Sequence, residues 1–358
     1  MTTPETENAL AACAACAAFD LPAPVTGLAC HGSGHIHQTY RVNTAAGDFL
    51  LQRLNSRVFP DLDAIADNTA RIAAHLAGQT GDRLTPRPTR RGGLLHRDAG
   101  GHAWRVFDFL DGTRSFDVAP NLATIEAAAR AFGDFQKRLA DLPAPPLRET
   151  LPGFHDTRQR FARLEQAVVA DPAGRRAGCA AELEALLRRR PLASALQELA
   201  LPVRTVHNDT KLNNLLFDAA SGEPRCVIDW DTTMPGLAAH DFGDMVRTMA
   251  GDCAEDEADS ARVAIVPERL AAILRGYLAA VSDWLTPAEL ASLDLGARTL
   301  LFEQACRFLA DHLEGDVYYP VHRPDHNLVR ARVQLALLDS LEALSRNDKA
   351  RTAEAVRA

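Results

Sequence analysis

Lysine is almost missing from this 358-residue chain: Lys137, Lys211 and Lys349 are all there is. Arginine carries the other positive charges, no basic block forms, and the formal net charge is -8. That balance argues against nucleic acid or an anionic membrane as the main partner. Long apolar runs are also missing. Leu10 to Phe19 is the longest, about ten residues, where a bilayer span needs roughly twenty. Glu5 and Glu7 stand near the start with no early Lys or Arg, unlike the basic region of a secretory signal. A cytoplasmic protein with no membrane partner is expected. The seven cysteines are odd in number and scattered, which excludes a disulfide framework. Cys13-x-x-Cys16 has no second pair and lies in an Ala-rich stretch, so packing or a surface helix explains it better than metal or redox chemistry.

What is present is a globular composition, 47% apolar and 24% charged. Residues 1–24 read as a lead-in segment or short helix. Strand-like runs follow at Val25 to Cys30, Thr39 to Asn43 and Phe49 to Leu54, with turns at Gly32-Ser33-Gly34 and Gly47-Asp48. Leu62, Ile65, Ile72 and Leu76 are spaced for a helix, and Trp104 to Leu110 reads as a strand. After Asp111-Gly112 the texture turns helical, beginning with Leu122 to Leu139. A Pro-rich connector covers 143–152, and Thr286, Pro287 and Glu289 spell a helix start with a capping box. The expected architecture is α+β, with a small β-rich N-lobe over 25–110 and a large helical C-lobe over 111–358.

One compact apolar region, Val203 to Asp231, holds most of the chemistry. It reads His207-Asn208-Asp209-Thr210-Lys211-Leu212-Asn213-Asn214, then a strand, Cys226-Val227-Ile228, ending in Asp229-Trp230-Asp231. These residue types suit phosphoryl transfer. A carboxylate orients the attacking hydroxyl and accepts its proton, while Mg²⁺ takes hard oxygen ligands from a carboxylate and an amide. A tight loop brings Asp209 and Asn214 toward one point, and the strand delivers Asp229. Lys211 is in reach of the transferring phosphoryl. Asp241-Phe242-Gly243 spells a kinase metal tripeptide but follows no apolar strand.

The stretch resembles the catalytic loop of the aminoglycoside phosphotransferase and choline kinase group, relatives of the protein kinases. The resemblance implies a two-lobed protein kinase-like fold with ATP and Mg²⁺ as cofactors. It implies Asp209 as base, Asn214 and Asp229 as metal ligands, and His207 as a structural member of the loop. It implies too that Asp241 braces the loop from a helix start, where Asp is also a good N-cap. The usual strand Lys and helix Glu that grip the nucleotide phosphates have no counterpart: no Lys precedes Lys137, and no Glu lies between Glu7 and Glu126. Arg53, with Asp67 or Asp63 as partner, is the expected substitute, and Gln52 is the alternative inward residue. Gly32 and Gly34 are placed to cover the phosphates through backbone N–H groups, or form a plain hairpin turn. Trp104 to Leu110 is placed to contact adenine.

A closer resemblance emerges from motifs in order: Gly32-Ser33-Gly34-His35-Ile36, Leu51-Gln52-Arg53-Leu54-Asn55, Gly153-Phe154-His155-Asp156-Thr157, the catalytic loop, Arg307-Phe308-Leu309 and His326-Asn327-Leu328. Together they look like the N-acetylhexosamine 1-kinases, which phosphorylate an anomeric hydroxyl. That implies a sugar site with Arg307, Tyr318 or Tyr319, and His155. Each has a plainer reading: Arg307 pairing with Glu303 one helical turn away, the tyrosines packing in the core, His155 capping the next helix. The expected partners are a small sugar and ATP, in a monomer or homodimer. The rivals are a kinase of another amino sugar, an aminoglycoside or an amino alcohol, and a non-catalytic nucleotide-binding protein of kinase fold.

Overall fold

The computed structural model describes residues 4–32, 36–81 and 83–357. Helix α1 (Pro4–Cys16) precedes strands β1 (Val25–Cys30), β2 (Gln38–Thr44) and β3 (Gly47–Arg53). Helix α2 (Leu62–Ala77) and strands β4 (Pro86–Arg87), β5 (His96–Arg97), β6 (Ala103–Asp108) and β7 (Thr113–Arg114) come next. Helices α3 (Leu122–Arg138), α4 (Thr157–Ala170), α5 (Ala180–Arg188) and α6 (Leu192–Ala195) lead to β8 (Arg204–Val206), β9 (Leu215–Asp218), β10 (Pro224–Val227) and β11 (Met234–Gly236). Helices α7 (Ala238–Met249), α8 (Pro267–Val281), α9 (Pro287–Glu314) and α10 (His326–Arg357) follow. Two compact units result. One gathers the run ending at Ser115 with Arg138–Pro152 and Asn214–Pro235; the other gathers Phe116–Lys137, Gly153–Asn213 and the run from Gly236.

The first unit is built on an antiparallel sheet of order β1-β2-β3-β6-β4, with β5 on β6. Strand alternation sends Phe49 and Leu51 of β3 to the same face as Trp104 and Val106 of β6. The stretch read as a lead-in forms α1 and covers that face with Ala12, Ala15 and Cys16, joined by Phe19. Each large apolar side chain so buried contributes about 1.5–3 kcal/mol. Ala103, on the opposite face of β6, packs with Leu62 and Ile65 of α2. Asp61 caps α2 by accepting from the Ala64 N–H at 2.9 Å, and the helix buries the expected Leu62, Ile65, Ile72 and Leu76. A second sheet, β10-β9-β7, completes the unit.

The second unit is helical and centred on α9. The Thr286–Glu289 capping box starts that helix, with the Glu289 N–H donating to Thr286 Oγ1 at 3.3 Å and the Thr286 N–H to Glu289 Oε2 at 2.9 Å. Two glycines let α7 cross α9 closely. A Cβ at Gly243 would stand 2.6 Å from the Gly296 carbonyl oxygen, and one at Gly296 would stand 2.5 Å from that of Ala239. Among the described residues, no helix is long and apolar enough to cross a membrane. Among the described residues no two cysteines form a disulfide. Burial pushes the Cys16 thiol up to about 11.

Candidate active site

The loop after β8 is held rigidly within the second unit. Asp241, at the start of α7, accepts from the His207 N–H at 2.9 Å, the Asn208 N–H at 2.7 Å and Gln136 Nε2 at 2.6 Å. The Thr210 hydroxyl donates to the Asp241 carbonyl at 2.7 Å. The Asp241-Phe242-Gly243 tripeptide is therefore structural. Its acid braces the loop, its Phe packs at a tilt against Tyr277 with ring centroids 5.5 Å apart, and its Gly makes the α9 crossing. Burial raises the Asp241 pKa, against the opposing effect of His207 and the two backbone donors. His207 is wholly buried between the edges of Phe132 and Phe135.

Asn208 adopts a left-handed φ of +65°, a conformation that Asn tolerates better than most residues. Asp209 follows it, half-buried, with Lys211 Nζ at 2.8 Å from its carboxylate. Burial acts to raise the Asp209 pKa, but Lys211, with smaller help from His207 and Arg247, brings it below the ordinary value. Asp209 is thus an ionised acceptor at neutral pH.

Asn214 and Asp229 lie in the first unit. Strands β9 and β10 pair Leu215 with Val227, and the Ile228 N–H donates to the Asn214 carbonyl at 2.9 Å. Asn214 and the residue before Asp229 are therefore side by side at the end of one ladder. Asp229 has φ 60° and ψ 61°, and a short helical turn begins immediately after it at Trp230. A left-handed Asp costs about 1–3 kcal/mol and persists only where its surroundings over-determine it.

Those surroundings include a buried network that the sequence reading missed. Asp231 receives both terminal nitrogens of Arg105 from β6, one of them at 2.9 Å, and His37 Nε2 at 2.6 Å. His37 Nδ1 accepts from the Asn55 N–H at 3.1 Å, so Nε2 bears the proton given to Asp231. Arg105 Nε donates to Gln52 Oε1 at 2.9 Å, and the Thr150 hydroxyl to the Asp231 carbonyl at 2.5 Å. Burial alone would raise the Asp231 pKa; Arg105 and His37 drive it well below the carboxylate range. The signal was an Arg inside the apolar strand Ala103-Trp104-Arg105-Val106-Phe107, a place where Arg is rarely buried unpaired.

Other expectations need correction. Arg53 pairs with neither Asp63 nor Asp67. It faces α1 with the odd-numbered residues of β3, donates to Asn8 at 3.0 Å and Gln38 at 3.3 Å, and lies over Trp104. Asp63 holds Arg97 at 2.9 Å, and Asp67 is exposed on α2. Gln52 takes the other face, with Arg105. His155 is not open to a substrate: its side chain is 6% exposed, with Nδ1 2.9 Å from Glu303 and Nε2 3.1 Å from the Asn208 carbonyl. Glu303 is thereby engaged, and Arg307 instead donates to Gln304 at 3.2 Å and lies over the Phe154 and Tyr319 rings. Tyr318 is exposed beside Tyr319. Gly32 has φ +79° with open space around it, so backbone conformation favours glycine there. Gly34 lies outside the described residues.

Among the described residues no group of three or more His, Cys, Asp or Glu could hold a metal. The Asn214–Asp229 ladder end offers one amide and one carboxylate, a hard-oxygen set. That fits Mg²⁺, which takes few protein ligands and completes its shell with phosphates and water.

The fold and this loop define a phosphotransferase of kinase-like architecture. A model of the phosphotransferase enzyme family (APH) matches residues 29–290, and the chain belongs to that family. Solved structures share the fold at low identity. A microcompartment-associated aminopropanol kinase is 15% identical, with 95% of this chain and 98% of that one covered at a TM-score of 0.61. An aminoglycoside phosphotransferase from Alicyclobacillus acidocaldarius is 13% identical, with 97% of each chain covered at 0.60. A choline/ethanolamine kinase family protein from Mesorhizobium loti is 18% identical, with 95% of this chain and 94% of that one covered at 0.55.

Proposed function

We propose that this phosphotransferase is an ATP- and Mg²⁺-dependent kinase that phosphorylates the anomeric hydroxyl of an N-acetylhexosamine. The observation that carries the kinase reading is the braced loop presenting ionised Asp209 beside Lys211, on a chain whose family is established. The sugar assignment rests on the ordered set of motifs from Gly32 to Leu328. In the reaction the sugar hydroxyl oxygen bonds to the γ-phosphorus, the bond to the β–γ bridging oxygen breaks, and ADP leaves. Asp209 orients the hydroxyl and takes its proton late, as its low pKa requires. Lys211 offsets charge on the transferring group. Asn214 and Asp229 would hold the metal, which neutralises phosphate charge when bound. Gly32 and Gly34 cover the phosphates, Arg307 and Tyr318 contribute to acceptor binding, and the protein works in the cytoplasm as a monomer or homodimer. The buried Arg105 replaces Arg53 as the arginine that organises the nucleotide side.

The test is an ADP-release assay with N-acetylglucosamine, N-acetylgalactosamine and their methyl glycosides. Turnover of the free sugars and none of the glycosides is expected; phosphorylation of a methyl glycoside removes the anomeric assignment. Asp209→Asn should lower kcat by about 10²–10⁴-fold with nucleotide affinity retained. A variant with unchanged kcat would take Asp209 out of the base role.

A further inference from the structure

Helix α9 runs out into a segment that the core does not hold. Gly315, with φ 97°, closes the helix by donating its N–H to the Asp311 and His312 carbonyls, so the helix end needs no side-chain cap. Asp316 follows with φ 63°, a left-handed conformation that a residue with a Cβ keeps only where its surroundings enforce it. Val317 and Tyr318 are 71% and 47% exposed, so burial contributes little to their order.

One buried carboxylate supplies that order instead. Asp311 Oδ1 accepts from the Val317 N–H at 3.0 Å and the Tyr318 N–H at 2.8 Å. Its Oδ2 accepts from the Tyr319 N–H at 3.0 Å and from Asn327 Nδ2 at 2.9 Å. Two consecutive left-handed residues, Gly315 and Asp316, turn the chain so that three successive amides meet the same group. Asn327 Nδ2 also donates to Asp316 Oδ1 at 2.9 Å, and Arg175 holds the other Asp316 oxygen. The segment is thus tied down by polar bonds to α9 and α10.

It carries the tyrosines to Arg307. The Arg307 guanidinium lies over the Tyr319 ring at 5.7 Å and the Phe154 ring at 5.2 Å. Gln304 joins the first pair, donating to Tyr319 Oη at 3.2 Å and accepting from Arg307 at 3.2 Å. Glu303, one turn before Arg307, is held by His155 and Thr157, and among the described residues no carboxylate forms an ion pair with Arg307. The rings and Gln304 therefore set where the guanidinium sits. Tyr318 packs edge-on against Tyr319, with ring centroids 4.8 Å apart.

We infer that Asp311 is a positioning residue for the acceptor: through the Val317, Tyr318 and Tyr319 amides it fixes the two tyrosines against Arg307. This rests on the acceptor role proposed above for Arg307 and Tyr318, and adds the group that pre-forms their surface. Asp311 does for this segment what Asp241 does for the catalytic loop. Its effect belongs to acceptor affinity and not to chemistry. Without the carboxylate, an incoming acceptor has to order the segment as it binds, and affinity falls accordingly.

The test uses the full chain and N-acetylglucosamine or N-acetylgalactosamine, whichever the wild type turns over faster. Asp311→Asn keeps the side-chain shape but puts a donor where an acceptor faces backbone N–H groups. It should raise the acceptor KM about five- to twentyfold, with kcat and the KM for ATP within about threefold of wild type. Arg307→Ala should also raise the acceptor KM, and the double variant should fall well short of the product of the two single changes. Asn327→Ala leaves the carboxylate in place and removes one of its donors; a rise of about two- to fivefold is expected, and this variant carries the test if Asp311→Asn does not fold. An unchanged acceptor KM in the folded variant, or single effects that simply multiply, overturns the inference while Arg307 keeps its acceptor role. An unchanged acceptor KM in Arg307→Ala, or a wild type that turns over neither sugar, removes the acceptor reading first and the inference with it.

Discussion

Arg105 and Asp231 show how one residue choice sets local energetics. Both side chains are nearly inaccessible, at 6% and 2% exposure, and their attraction has to offset the desolvation of two charges. Removing one partner leaves the other charge buried without compensation. Arg105→Met should therefore destabilise the protein by about 3–5 kcal/mol, read as a lower urea midpoint. Asp231→Leu added to it should recover much of the loss, because the uncompensated charge is then gone. If Arg105→Met alone leaves the midpoint unchanged, the pair does not organise the turn after Asp229. His155 makes a similar point by geometry. Glu303 and the Asn208 carbonyl are both acceptors, so both imidazole nitrogens donate and His155 is an imidazolium. It supports the backbone of the loop from outside the reaction, as a positioning residue.

At the scale of elements, α7 does two jobs with one tripeptide. Its first turn holds Asp241 against the His207 and Asn208 amides, and one residue after Phe242 the helix needs Gly243 to reach α9. Gly296→Ala should cost about 1–3 kcal/mol, since its Cβ would meet the Ala239 carbonyl at 2.5 Å. Gly78→Ala, at the end of α2, has open space and an ordinary φ of -86°, and is expected to be neutral or slightly stabilising. Equal denaturation midpoints for the two variants would mean that the crossing adapts freely. Much of this level was legible in the sequence. The spacing of Leu62, Ile65, Ile72 and Leu76 gave α2, the Thr286-Pro287-Glu289 signal gave the start of α9, and poor strand context separated Asp241 from Asp229. Helix α1 was less legible: an Ala-rich stretch carries little amphipathic signal, and only the sheet face beneath it shows which side is buried.

Across the whole molecule, legibility falls with separation along the chain. The loop from His207 to Asn214 is local and could be read directly. The Arg105–Asp231 link spans 126 positions, and the His155–Glu303 link 148, so neither follows from spacing or propensity. Yet such distant buried pairs govern how the folded state responds to pH. The Glu303 carboxyl, which burial would raise, is brought down to about 2 chiefly by His155. Its contribution is present above the ordinary value of 4.5 and is lost as pH falls toward 2. The His155 pKa is raised above 6.5, burial opposing and Glu303 prevailing, so its contribution is full below 6.5 and is lost as pH rises through the folded value. The pair stabilises most between about pH 4.5 and 6.5. His240, its ring centroid 4.9 Å from that of His155, is kept neutral by burial and by that neighbouring cation, with its pKa lowered to about 3. The unfolded chain therefore takes up a proton between pH 6.5 and 3 that the fold refuses, and His240 lowers stability as pH falls through that range. Urea midpoints of the wild type and of His155→Gln, measured from pH 4 to 9, should differ most near pH 5 to 6, and the difference should shrink as pH rises through the folded pKa of His155. A difference that grows with rising pH would mean that His155 is neutral in the fold and that its Asn208 contact is not a donated hydrogen bond.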